Sequence, residues 1–150
     1  MLTVRDLLKL KKNDGIWAVS PETSTLDAVR FMASRNIGAL MVLEDGILSG
    51  IISERDLIYR IANQRELDLS TPIKEYMTTR VITVTPDQDI EECMQIMSDR
   101  RIRHLPVVID NGELIGLISI GDVVKGLIGH HEDTINHLQD YIIGGGYGRH

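Results

Sequence analysis

Gly116-Leu-Ile-Ser-Ile-Gly-Asp122 decides how this chain is read. The same phrase stands 66 residues earlier as Gly50-Ile-Ile-Ser-Glu-Arg-Asp56. Each copy is a glycine, two aliphatic residues, Ser-x-x-Asp, and then an apolar pair, Leu57-Ile58 or Val123-Val124. The pattern is that of a buried strand turning into a helix. A serine ahead of a helix accepts a hydrogen bond from the unpaired N–H groups of the first turn, and an acid three residues on reciprocates. Those same N–H groups, with the positive end of the helix dipole, also attract phosphate. A single copy is explained by capping alone. Two copies in register are not, because everything upstream is doubled too.

Working outward, Val19-Ser20-Pro21 precedes Val84-Thr85-Pro86 by 65 residues, and the same offset matches Ala28 with Cys93, Met32 with Met97, Ile37 with Ile102 and Val42 with Val107. One extra residue in the second turn, Asn111, lengthens the offset to 66 for Gly46/Gly112, Ser53/Ser119 and Asp56/Asp122. Each copy reads as strand, helix, strand, strand, helix. In the first, Ile16–Val19 is a strand, Thr25–Arg35 an amphipathic helix, Ala39–Leu43 a strand, Glu44-Asp-Gly46 a hairpin turn, Ile47–Ser53 a strand and Glu54 to about Gln64 a helix. In the second, Val81–Val84 and Leu105–Ile109 are strands around a helix at Ile90–Arg100. Asp110-Asn-Gly112 is the turn, Glu113–Ser119 a strand and Ile120–Leu127 a helix.

A short helix starts at Thr3, whose hydroxyl can cap it with Asp6; Lys11 to Gly15 reads as a turn. Arg65–Thr71 is a polar linker, Pro72–Met77 one helical turn with proline at its start, and Glu132–Ile143 a last helix before a glycine-rich tail. The expected division is 1–71 for the first repeat with its lead-in, 72–128 for the second, and 129–150 for the terminal helix and tail. Two copies are too few for a solenoid, so a pseudo-two-fold pair within one α/β (α+β) fold is expected.

Composition narrows the function classes. A chain of 150 residues can bury about 68–70% of its unfolded surface, enough for one domain or two small lobes. Its net charge of −6 argues against nucleic acid as a partner. No apolar run reaches the roughly 18–20 residues of a membrane span, and Met1 to Lys12 lacks the apolar core of a signal peptide. One cysteine, Cys93, excludes an internal disulfide and suits a reducing, cytoplasmic compartment. Cys93 is expected to be buried rather than a nucleophile, and His130, His131 and His137 lack metal-ligand spacing. No activated nucleophile, paired acids or metal set points to an enzyme.

With these residues in view, Thr3 to Leu127 resembles a tandem pair of CBS (cystathionine β-synthase) domains, a Bateman module in a small stand-alone protein. The resemblance rests on Ile37-Gly-Ala-Leu-Met-Val42 and Ile102-Arg-His-Leu-Pro-Val107, each followed by Gly-x-x-Ser-x-x-Asp. It implies a regulatory, energy-sensing module for adenosine nucleotides (AMP, ADP or ATP, or else NAD or S-adenosylmethionine) that changes a dimer or partner interface. It also implies a homodimer, with an unidentified effector protein downstream. The alternative is a structural dimerisation module with empty clefts.

In such modules the motif aspartate holds the ribose hydroxyls and the serine meets phosphate. Carried over, one cleft combines Ser119, Gly121 and Asp122 with Ile37, Gly38, Ala39, Gly15 and Trp17. The other combines Ser53, Arg55 and Asp56 with Thr83, Ile102, Arg103, His104 and Pro106. The family usually has proline where the first copy has Met41. Because Arg55, Arg103 and His104 fall around Asp56 while only Gly38, Ala39 and Gly121 fall near Asp122, the first cleft is expected to prefer the more phosphorylated ligand.

Overall fold

A computed structural model describes residues 1–11, 16–63 and 68–129. The chain forms two compact units. Of the described residues, one unit contains 1–11, 82–109 and 115–129, and the other 16–63, 68–81 and 110–114. The units share one plan, and each shows why its sequence folds as it does.

In the Ile16–Val81 unit, β1 (Ala18–Val19) runs parallel to β2 (Ala39–Glu44), which pairs antiparallel with β3 (Ile47–Ser53). Between β1 and β2 lies α2 (Thr25–Arg35). Ser24 caps it, accepting from the Asp27 N–H at 3.1 Å, and Asn36 ends it in the left-handed region at φ 54°. Asparagine tolerates that conformation better than most residues do. Helix α3 (Glu54–Asn63) follows β3 directly. Ala28, Met32, Leu40, Val42 and Ile52 form the core with Leu57, Ile73 and Tyr76. Each large apolar side chain removed from water here stabilises by about 1.5–3 kcal/mol.

The other unit repeats the pattern with α4 (Ile90–Arg100), β4 (His104–Val108), β5 (Leu114–Ser119) and α5 (Ile120–Ile128). Asp89 caps α4 by accepting from Glu91 N–H at 3.0 Å. Its core joins Val84, Ile90, Cys93, Met97, Leu105, Val107, Ile118, Val123 and Leu127 to Val4 and Leu7. Those last two belong to α1 (Val4–Leu10), whose Thr3–Asp6 capping box is closed on both sides. Thr3 N–H and Oγ1–H donating to the Asp6 carboxylate hold its pKa below the ordinary value.

The lead-in before the first repeat packs in the unit that contains the second, and residues 72–81 pack in the unit that contains the first. Matched hydrogen bonds make the exchange. Val4 N–H donates to Gln88 O at 2.9 Å, and Ile73 N–H to Thr23 O at 2.7 Å; Ile90 N–H donates to Leu2 O at 3.0 Å, and Thr25 N–H to Thr71 O at 2.9 Å. Each lead-in thereby satisfies backbone groups at a helix start that would otherwise lack partners.

One expectation needs correcting: over Val81–Val84 only the single bridge Val84–Val107 forms instead of a strand. The reason lies in the facing strand. Met41 N–H donates to Trp17 O at 3.3 Å and extends β1, whereas the matching residue, Pro106, has no N–H to donate to Ile82. The expected helix over 132–143, the tail, Gly15 and the three histidines at 130, 131 and 137 lie outside the described residues.

Candidate functional site at the two serine–aspartate corners

Each Ser-x-x-Asp motif sits where a strand becomes a helix, and each closes as a reciprocal cap. At the β3–α3 corner, Asp56 N–H donates to Ser53 Oγ at 3.1 Å and Ser53 N–H donates to Asp56 Oδ2 at 3.1 Å. At the β5–α5 corner the corresponding distances are 3.1 Å (Asp122 N–H to Ser119 Oγ) and 2.8 Å (Ser119 N–H to Asp122 Oδ2). Serines and aspartates are all half-buried. The cap occupies one oxygen of each carboxylate. Oδ1 of Asp56 and of Asp122 accepts no hydrogen bond from another described residue, and it sits beside the unpaired N–H groups of a helix start.

The strand starts named above meet these corners within their own units. Glu54 N–H donates to Gly38 O at 2.9 Å, and Ile120 N–H donates to Arg103 O at 2.9 Å. Gly38 is tightly placed, since a Cβ there would lie 3.2 Å from Glu54 Oε1. Ile37, Gly38 and Ala39 therefore adjoin the Ser53–Asp56 corner, and Ile102, Arg103 and His104 adjoin Ser119–Asp122. Arg55 and Gly121 are exposed in the first turns of α3 and α5, Pro106 is buried in β4, and Thr83 is half-buried before the Val84 bridge. The Arg55 guanidinium lies 5.7 Å from the Tyr59 ring. Trp17 is 42% exposed. Its ring meets Phe31 edge-on at 5.8 Å, with the Arg35 guanidinium 4.6 Å from its centre.

The motif glycines answer to packing. A Cβ on Gly50 would fall 2.5 Å from Met77 Sδ, and one on Gly116 would fall 2.7 Å from Leu8 Cδ2. Each lead-in lays a long apolar side chain on the motif glycine, so a larger residue there would require that side chain to shift.

Lys11 was missed as a site residue. Its ammonium lies 3.0 Å from Asp122 Oδ2 and donates to Leu117 O at 2.7 Å. Both partners of the ion pair are largely shielded, with side chains 21% and 18% exposed. The expectation that only Gly38, Ala39 and Gly121 lie near Asp122 is thus overturned, because a lysine neutralises that carboxylate. Among the described residues no ion pair reaches Asp56. Arg80, which matches Lys11 when Leu8 is aligned with Met77, is exposed and makes no ion pair among them.

The CBS domain family model matches residues 4–63 and 73–129. The chain belongs to the CBS-domain family. A mitochondrial CBS domain-containing protein of Arabidopsis thaliana, CBSX3, is 40% identical over 151 residues, covering 95% of this chain and 73% of its own. A solved CBS-domain structure from Burkholderia ambifaria shares 41% identity at a TM-score of 0.78, covering 87% of this chain and 96% of that one. The CBS domain pair of protein MJ0100, solved with 5′-methylthioadenosine and S-adenosyl-L-methionine, shares 25% identity at a TM-score of 0.72 and covers 86% and 98%. Within this CBS pair, no helix among the described residues is long and apolar enough to cross a membrane.

Proposed function

We propose that this CBS pair is a regulatory module that binds an adenosine compound, with AMP, ADP or ATP as the favoured class and S-adenosylmethionine or NAD as alternatives. The observation that carries the reading is the state of the two aspartates. Each is half-buried and held by its own helix cap, with one carboxylate oxygen left to accept a ribose hydroxyl. A carboxylate accepting ribose hydroxyls is the solution that dinucleotide folds also use. The adenosyl compounds in the MJ0100 pair support the same chemistry. Binding would alter a surface offered to a second copy or an effector protein, in a cytoplasmic setting suited to the single cysteine. The module carries out no reaction.

One specific observation favours a second reading, a purely structural dimerisation module. Both motifs are fully accounted for as capping boxes. Calorimetric titration with AMP, ATP, NAD and S-adenosylmethionine separates the two. Binding should weaken by about 10–100-fold at the altered corner in Asp56→Asn and Asp122→Asn, reflecting the roughly 1.5–3 kcal/mol of a charge-assisted bond. Absence of heat with all four compounds would overturn the nucleotide reading in favour of the structural one.

A further inference from the structure

We infer that Lys11 sets the charge selectivity of the Asp122 corner, making it the one that accepts a phosphate-bearing adenosine. This inference rests on the nucleotide reading above and reverses the charge order expected from sequence. A ribose-holding carboxylate is a poor neighbour for phosphate, because two anions a few ångströms apart repel unless a cation lies between them. At the Asp122 corner that cation is built in. Lys11 and the Ser119 N–H share one carboxylate oxygen, Asp122 Oδ2, at 3.0 and 2.8 Å. The ammonium therefore lies next to the serine and the first turn of α5, where a phosphate attached to the ribose would be received.

The placement of Lys11 is over-determined, which distinguishes it from a chance surface pair. Leu8 lies on Gly116 and Leu7 on Gly126, so α1 is fixed against β5 and α5 just before Lys11 leaves it. The Lys11 N–H donates to Leu7 O at 3.2 Å, and its ammonium donates to Leu117 O at 2.7 Å. Two fixed acceptors and a shielded ion pair keep the ammonium at the corner without a ligand. A shielded cation is also less screened by salt than an exposed one. At the Asp56 corner the matching Arg80 is exposed and forms no ion pair among the described residues. The neutralised corner is thus the one containing Asp122.

The test is calorimetry of the full chain carrying Asp56→Ala, so that the Asp122 corner is read alone, with AMP and with adenosine. Adding Lys11→Gln keeps a donor toward Leu117 O but removes the charge. It should weaken AMP about tenfold while changing adenosine less than about twofold. Lys11→Arg should restore the preference. An unchanged AMP-to-adenosine ratio in a folded Lys11→Gln protein overturns the inference and leaves the nucleotide reading standing. If Lys11→Gln does not fold, equal affinity for AMP and adenosine in the Asp56→Ala chain overturns it equally. Binding by the unaltered chain that vanishes with Asp56→Ala overturns it too, by placing the ligand elsewhere. No binding of either compound by the unaltered chain defeats both proposals together.

Discussion

Before the first repeat the lead-in runs as a helix to Leu10. Before the second it makes one three-residue turn, Ile73–Glu75, and then goes extended. The difference begins with the caps. Thr3 and Asp6 close a capping box, while the shorter turn follows Pro72 and has no side-chain cap. Its consequence appears at the strand edge leading to each motif. Extended Thr78 exchanges two backbone hydrogen bonds with Ile51 of β3, at 2.8 and 3.0 Å. In the other unit the matching residue, Lys9, is still helical, so the matching carbonyl, Leu117 O, is satisfied by Lys11 Nζ instead. One extra turn of helix converts a backbone bridge into a lysine contact, and the lysine brings its charge to Asp122. Two corners alike in motif and cap geometry become electrostatically different through what packs on them.

The same contrast runs along the helices that follow. Gly126 of α5 accommodates Leu7 of α1, whereas the matching residue of α3 is Arg60, and Ile58, Tyr59 and Ile61 are 64%, 54% and 52% exposed. The strongest way to break the comparison is to remove the contact. Leu7, 1% exposed in the core of the unit that contains the second repeat, should cost about 2–5 kcal/mol when changed to alanine. Arg60→Ala should stay within about 0.5 kcal/mol. Urea denaturation measures both. A Leu7→Ala protein as stable as its parent would show that α1 is not part of that core.

A smaller effect sharpens the contrast between the parallel pairings. Pro106→Ala supplies the N–H that Met41 has, so residue 106 should donate to Ile82 O and extend the single Val84 bridge into a strand. The gain is a hydrogen bond of about 0.5–1.5 kcal/mol, partly offset by the greater freedom of the unfolded chain. Hydrogen exchange reads it directly. A residue-106 amide exchanging as fast as a solvent-exposed one would refute the explanation.

These comparisons also mark what the sequence could disclose. Helices α2 and α4 were legible to the residue, because Ser24 and Asp89 announce their starts and a period of 3.6 carries each apolar face to Met32 and Met97. The capping boxes at Thr3, Ser53 and Ser119 were legible for the same local reason. The exchange of lead-ins was not, since the pattern of Val4, Leu7 and Leu8 reveals an apolar face but not which core receives it. Lys11 was hidden by that same gap. In a Lys-Lys-Asn-Asp-Gly run it looks like turn punctuation, and only the docking of α1 delivers it to Asp122. The strand expected at Val81–Val84 failed on a residue in plain view. Pro106 cannot donate, but a pattern read along one segment takes no account of the segment it must pair with.

The finest contrast between the units is a single atom in matched helices. Ala28 and Cys93 occupy the same place, and both are fully buried. Burial pushes the Cys93 thiol up to about 11 from 9.0, with the Glu92 and Asp89 carboxylates adding to it. Near pH 7 the buried thiol is protonated, so a thiol reagent should label the protein only when the unit opens. The sign of the pH dependence follows. The folded chain holds this proton more tightly than the unfolded one, so its contribution to stability is constant below pH 9.0 and is lost as the pH rises through about 11. Cys93→Ala, which installs the residue of the other repeat, should remove that alkaline loss while leaving the urea midpoint near pH 7 only slightly lower. Native labelling at the rate of a free thiol would mean that the α4 core is open where the α2 core is closed.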